Sequence, residues 1–339
     1  MYDVIVIGAG HAGVEAALAS ARKNMNTVMC TISMDKIAMM PCNPSIGGPA
    51  KGIVVAEIDA LGGQMGLTAD KTALQFKMLN TNKGPGVWSL RVQSDKIEYS
   101  KMMKEICLAQ ENLDVIESLV DSLIVEDNEV KGVILHNQEK LYAKAVVITT
   151  GTYMRAKIMI SDEVRISGPD NLPTSNTISD QLKNLGFRLF RLKTGTPPRV
   201  LTSSVDFSKT TIQPGDEKRY FFSTTTKKEN TIRTQVPCYL TYTQAATHDI
   251  IHLNLNKSSM YSGVVEGVGP RYCPSIEDKV VRFSDKERHQ IFLEPQSAHL
   301  DTTYVQGFST SLPRDVQESM LKTIAGCENA VITEYAYAI

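Results

Sequence analysis

No apolar run in this 339-residue sequence reaches the roughly 18 to 20 residues that a membrane-spanning helix needs. Met1-Tyr2-Asp3 leads straight into a strand-like stretch, with no basic region or cleavable apolar segment ahead of it. Export and membrane integration are therefore not expected, and a cytoplasmic location is. Net charge is nearly absent too: the formal value is -1, so no global basic field advertises nucleic acid, and any RNA contact must come from local patches. The six cysteines (Cys30, Cys42, Cys107, Cys238, Cys273, Cys327) include no CxxC pair and no histidine-rich spacing. That excludes the usual zinc patterns and a disulfide framework, and it fits a reducing compartment. Internal repeats and low-complexity tracts are missing as well. With 42% hydrophobic and 22% charged residues, the chain reads as ordinary globular protein, long enough for two or three domains' worth of core.

What is present begins at the first residue. Residues 4–7 are a β-branched run of the kind a strand buried on both faces shows, and residues 12–21 are good helix formers. Between them stands Gly8-Ala9-Gly10-His11-Ala12-Gly13, a GxGxxG that follows an expected strand and opens an expected helix, which is the context that promotes the pattern. Gly8 would make the tight turn, Gly10 would let a pyrophosphate approach the backbone, and Gly13 would let helix and strand pack closely. A dinucleotide site is expected here, with His11 as a phosphate-side hydrogen-bond donor and not an acid or base. The acidic residue that normally follows about 20 positions on, at the end of the second strand, is missing from residues 27–32. Asp35 comes a little late, so either it or a hydroxyl stands in, or the ribose is held from elsewhere.

Residues 40–49 hold three prolines and two glycines around Cys42 and are expected to be an irregular loop beyond a strand's carboxyl end. A second loop, residues 80–88, carries Lys83-Gly84-Pro85-Gly86 and precedes Arg91. Residues 95–110 show a helical stripe of Tyr99, Met103, Ile106, Cys107 and Gln110, with Ser94 or Asp95 as the cap. From 114 to 145 short alternating strands with a turn at Asp127-Asn128 lead into a buried strand ending in Thr150-Gly151. That order matches the flavoprotein, glutathione-reductase type of dinucleotide fold better than a plain NAD-binding Rossmann domain, which lacks the meander. Ser179 to Leu185 is expected as a short helix closed by Gly186. The expected class is α/β, a Rossmann-like parallel sheet with a β-meander and an inserted β-rich region. Its parts are residues 1–199, an insertion at 200–268, and a return at 269–339. Lys218, Arg219, Lys227, Lys228 and Arg233, with Tyr220, Phe221 and Phe222 among them, read as a solvated loop or, more sharply, as an RNA-facing strip.

Several motifs together resemble one family. They are the Gly8 to Gly13 fingerprint, Pro41-Cys42-Asn43-Pro44-Ser45-Ile46-Gly47-Gly48, the Lys83-Gly84-Pro85 loop with Arg91, Gln93 and Asp95, and Lys193-Thr194-Gly195-Thr196-Pro197-Pro198-Arg199. The longest is Gly267-Val268-Gly269-Pro270-Arg271-Tyr272-Cys273-Pro274-Ser275-Ile276-Glu277-Asp278-Lys279, followed by His289 to Pro295 and Ser309 to Pro313. They are similar to the large flavoprotein subunit of the enzyme that makes carboxymethylaminomethyl uridine in tRNA, the MnmG/GidA family. The resemblance implies an FAD enzyme, reduced by NADH, that places an aminomethyl-type group on carbon 5 of the wobble uridine. Methylenetetrahydrofolate would supply the carbon, and a GTPase partner (MnmE) would join a homodimer of this subunit in a heterotetramer. It carries FAD contacts onto Gly8, Ala9, Gly10, His11, Ala12 and Gly13, and onto Val120 and Ser175. It carries an NAD segment onto Gly269, Pro270, Arg271, Tyr272, Pro274, Ser275, Ile276, Glu277, Asp278, Lys279, Val280, Val281, Arg282 and Phe283. Arg155-Ala156, residues 168–171 and Gln296 depart from the family pattern. The chain also stops at Ile339, where the resemblance expects the flavin domain to continue and a helical region for tRNA and partner binding to follow. A fragment or a broken gene is therefore expected, one that binds FAD weakly and does not modify tRNA alone.

Addition at carbon 5 of uracil usually follows attack at carbon 6, and a thiolate is the common attacker. Cys273 and Cys42 both lie in proline-bounded loops, and Arg271 and Lys279 near Cys273 would favour its thiolate. Cys30, Cys107, Cys238 and Cys327 read as small buried hydrophobes. Glu277 or Asp278 could take the carbon 5 proton, although charged residues in such places more often pair with lysines. Two other readings compete: the related folate- and flavin-dependent tRNA uridine methyltransferase, against which the run from Arg271 to Lys279 argues, and a dinucleotide-binding module without catalysis.

Overall fold

The structure is a computed structural model that describes residues 1–231, 234–263 and 274–339. At its centre is strand β1 (Tyr2–Ile7), whose last three residues are buried. A turn through Gly8 leads into helix α1 (His11–Arg22), which buries Gly13, Val14, Ala17, Leu18 and Ala21 along one face. Strand β2 (Thr27–Thr31), buried throughout, lies parallel to β1. The chain then forms β3 (Ser45–Gly47), α2 (Lys51–Ala60), α3 (Met65–Lys71), β4 (Ala73–Leu79) and β5 (Ser89–Ser94). The loop around Cys42 is thus not wholly irregular, because Ser45–Gly47 pairs antiparallel with Arg91–Gln93 in a sheet ordered β3-β5-β4. Its prolines flank the paired residues and leave their N–H groups free to bond.

Helix α4 (Lys96–Ala109) starts at Asp95, whose carboxylate accepts from the N–H groups of Ile97 and Glu98, both at 3.1 Å. Tyr99, Met103 and Cys107 are buried at helical spacing, whereas Gln110 lies just past the helix end. Strands β6 (Leu113–Glu117), β7 (Val120–Glu126), β8 (Glu129–Leu135) and β9 (Lys140–Ile148) complete a six-stranded sheet. Its order is β6-β2-β1-β9-β8-β7, with β6, β2, β1 and β9 parallel and β8 and β7 added as an antiparallel meander. Asp127 and Asn128 turn between β7 and β8 with φ of 52° and 61°, which short polar side chains tolerate.

Beyond it lie β10 (Ile158–Ile160), β11 (Glu163–Arg165), α5 (Thr177–Asn184), β12 (Gly195–Thr196), β13 (Arg199–Leu201), β14 (Thr211–Gln213) and β15 (Cys238–Tyr242). They are followed by α6 (Ala245–Asn254), α7 (Ile276–Arg282), β16 (Gln290–Pro295), β17 (Thr302–Gln306), α8 (Arg314–Leu321), β18 (Ile332–Glu334) and β19 (Tyr337–Ala338). One antiparallel sheet runs β14-β15-β16-β17-β13-β18, so strands from both sides of residue 268 share it. Ile251, Ile276, Leu293, Val305, Phe308 and Met320 fill its core. Helix α6 interrupts the Thr-rich stretch expected to be β-rich; a reciprocal capping box between Gln244 and Thr247 starts it. Tyr220, Phe221 and Phe222 do not form an aromatic face toward solvent. Phe222 is buried, Phe221 packs beside it, and the Asp70 carboxylate accepts from the N–H groups of Phe222 (2.9 Å) and Ser223 (3.0 Å).

Candidate functional site

The carboxyl ends of β1, β2 and β9 meet at the glycine turn. Gly8 has φ of +100°, donates to Cys30 O at 2.8 Å, and would place a Cβ 2.6 Å from Thr149 O. A Cβ on Gly13 would lie 1.8 Å from Gly8 O, so helix and turn touch backbone to backbone. Gly10 is the opposite case: nothing lies within 4 Å of its Cβ position. It precedes a helix whose first turn has no acidic residue and whose N-terminus has no side-chain cap. Free N–H groups and an open approach are what a phosphate-bearing ligand requires. The His11 ring packs edge-on against Tyr99, with centroids 5.7 Å apart, and its Nδ1 is buried without a hydrogen-bond partner among the described residues. Burial holds this imidazole below its ordinary value.

The late acid Asp35 is engaged at the surface by Lys104, at 2.7 Å. A different carboxylate stands beside the end of β2: Glu117, paired in register with Thr31, accepts from Met34 N at 2.5 Å. Sequence spacing pointed past it, because β6 follows β2 by eighty residues yet lies next to it. Val120 and Ser175 come together, with Ser175 Oγ donating to Val120 O at 3.5 Å and both residues buried. Ser118 N donates to Thr31 O at 2.8 Å, which ties the start of this segment to the same strand end.

The Cys42 loop departs from this turn. Ala38 N donates to Ala9 O at 2.8 Å, and Cys42 follows Ala38 by four residue-to-residue steps, spanning about 14 Å at most. Cys42 is half-buried, and its Sγ lies 3.2 Å from the Tyr304 hydroxyl. Arg199, buried, donates through one nitrogen to Pro41 O at 2.7 Å and through another to Thr196 Oγ1 at 2.9 Å. Nearby, Arg91 meets the wholly buried Glu294 at 2.6 Å and also donates to Ser45 Oγ at 2.8 Å. Lys96 donates to Gln296 Oε1 at 2.9 Å, and burial together with Arg199 holds its ammonium below the usual range. The other thiols differ in kind. Cys30, Cys107, Cys238 and Cys327 are buried, and burial pushes each up to about 12.

Gly269, Pro270, Arg271, Tyr272 and Cys273 lie outside the described residues. The segment resumes at Pro274, and Ser275 caps α7 in a reciprocal box with Asp278. Glu277 is wholly buried. Its Oε1 accepts from Thr310 Oγ1 (2.7 Å), Ser258 Oγ (3.1 Å) and Ser311 N (3.3 Å), and burial pushes the carboxyl up. Asp278 faces Lys193 and Arg282, each at 3.7 Å, and the Tyr261 hydroxyl at 3.3 Å. Lys279 donates to Gly307 O at 2.9 Å; Ile276 and Val280 point into the core, while Val281, Arg282 and Phe283 are outward. Ile276 N donates to Ser309 O, and Ser309 Oγ lies 2.8 Å from the Cβ position of Gly195. Thr196, the next residue, holds Arg199, so α7 and the Cys42 loop lean on the same short strand.

A family model described as glucose inhibited division protein A matches residues 3–339. The chain belongs to the GidA family. It is 57% identical over 338 residues to the tRNA uridine 5-carboxymethylaminomethyl modification enzyme MnmG of Bacillus subtilis, covering 100% of this chain and 54% of that protein. It is 55% identical over 338 residues to the MnmG of Streptococcus agalactiae, covering 53% of it. Among solved structures it superposes on Aquifex aeolicus GidA, form I crystal, with a TM-score of 0.94 and 48% identity over 99% of this chain and 57% of that one. The chain spans about half the length of the curated GidA-family relatives it matches. Among the described residues no helix is long and apolar enough to cross a membrane.

Proposed function

We propose that the chain carries the flavin site and the reacting thiols of an FAD- and NADH-dependent tRNA-modifying activity in the cytoplasm. The reaction adds a (carboxymethyl)aminomethyl group to carbon 5 of the wobble uridine, with methylenetetrahydrofolate as one-carbon donor. A homodimer of this subunit works with the GTPase MnmE in a heterotetramer. The observation that carries the reading is the open face at Gly10, in front of an uncapped helix N-terminus, with the Cys42 loop leaving from the same turn. The names of the relatives point the same way.

FAD fits this cradle: the N–H groups of Gly10 to Gly13 would face its pyrophosphate, Glu117 or Asp35 its ribose, and Val120 and Ser175 would add contacts. Residues 269–283 would serve NADH, with Ile276, Glu277 and Val280 supporting the segment from the core and not touching the ligand. When bound, the flavin supplies the redox chemistry. The protein's own part is nucleophilic: a thiolate adds to carbon 6 of the uracil, carbon 5 then forms the new bond to the donated carbon, and transfer of the carbon 5 proton to a base lets the thiolate leave from carbon 6. Cys273 and Cys42 are the two thiols assigned to this work. Asp278 is placed between cations at the mouth of α7, whereas Glu277 is sealed off from any substrate. The test is a serine at the position of Cys273 in a full-length relative. Flavin content should be unchanged and tRNA modification should collapse; wild-type modification would remove the residue from the reaction.

A further inference from the structure

Cys42 and Tyr304 are 262 residues apart in the chain and 3.2 Å apart in space. Tyr304 lies on β17 with no exposed surface, and its hydroxyl is directed at the one described cysteine that solvent can reach. Directly across the antiparallel pair stands Arg199, in register with Tyr304. Its guanidinium carbon sits 5.2 Å from the centre of the Tyr304 ring, while one of its nitrogens holds Pro41 O, the carbonyl just before Cys42. One cation therefore fixes both partners of the sulfur–phenol contact. Thr196 and the Pro197 carbonyl also accept from Arg199, and Glu334, Tyr337 and Lys96 are the other titratable groups near it.

We propose that Tyr304 and Arg199 are positioning residues for Cys42, the phenol donating its hydrogen bond to the thiolate and the guanidinium clamping loop and phenol together. This rests on the reading of Cys42 as a reacting thiol. Burial raises the Tyr304 phenol well above its ordinary value, so it keeps its proton and has one to donate across the 3.2 Å contact. A hydrogen bond to a charged acceptor is stronger than one between neutral groups, so the phenol favours the reactive form of the sulfur and aims it.

The test is iodoacetamide alkylation of Cys42, read by peptide mass spectrometry across pH, in the wild type, Tyr304→Phe and Arg199→Lys. Tyr304→Phe removes one oxygen and keeps the ring under Arg199, so the circular dichroism should stay unchanged. Alkylation at neutral pH should slow about tenfold and its pH profile should move to the alkaline side. Arg199→Lys keeps the charge but loses the fork that holds Pro41 O, and should slow alkylation as well. Wild-type profiles in both variants overturn the positioning role. Full tRNA modification by a full-length relative with serine at the position of Cys42 would overturn the catalytic reading instead, a result separate from the alkylation profiles.

Discussion

Replacing Glu294 by methionine should loosen the half of the molecule that holds the Cys42 loop. Glu294 has no exposed surface, and its only described charged partner is Arg91 at 2.6 Å. Arg91 in turn reaches Ser45, two residues before Gly47 and three after Cys42, so the pair ties β16 to β5 and β3. Removing one member of a buried pair costs about 3 to 5 kcal/mol, because the other charge is left without compensation. The Arg91 side chain is 25% exposed, so water can reach it, and the lower end, about 3 kcal/mol, is expected. That is roughly a hundredfold in the folding equilibrium. Trp88 is the single tryptophan and stands immediately before β5, so its fluorescence in a urea titration reports this region. The double variant Arg91→Met with Glu294→Met should recover most of the loss, since two apolar side chains of similar length leave no orphaned charge. A Glu294→Met protein as stable as wild type, or a double variant no better than the single one, would refute this account of the contact.

Gly13→Ala forces a methyl group to within 1.8 Å of the Gly8 carbonyl and 2.8 Å of Thr149 Oγ1, so it should cost at least the ~1 to 3 kcal/mol of overpacking, whereas Gly10→Ala should not shift the denaturant midpoint. Equal midpoints for the two would contradict the packing. The Glu277 carboxyl is raised by burial above its unfolded value, so its stabilising contribution is complete below the unfolded value and is lost as pH rises through the folded one. Urea midpoints measured across this range should fall with rising pH in the wild type and fall less in Glu277→Gln; parallel curves would contradict the assignment.

Elements built from near neighbours were legible in the sequence. The strand, glycine turn and helix of residues 2–22, the Asp95 cap, and the Asp127-Asn128 turn each depend on residues within one or two turns of chain. Ser45–Gly47 escaped because a strand of three residues between prolines shows no alternation, and its partner lies more than forty residues away. The aromatic run at Tyr220 to Phe222 looked like a solvent face because its receiving surface, at Gly47 and Gly66, belongs to another part of the chain. The same holds for the site. Cys42 could be singled out from its loop, but Tyr304, Arg199 and Glu117 reach it or the glycine turn only through sheet pairings of distant segments. No local pattern marks Tyr304 or Glu117, and the motif that ends at Arg199 does not show what that side chain holds.

A flavin titration of this chain beside its Gly10→Val variant, with circular dichroism to check folding, decides whether the turn from Gly8 to Gly13 is a dinucleotide cradle. The open space over Gly10 predicts that the wild type takes up FAD saturably, one per chain, and that Gly10→Val stays folded but takes up none. A folded wild type that binds no FAD, or a folded Gly10→Val that binds it one to one, would contradict the account.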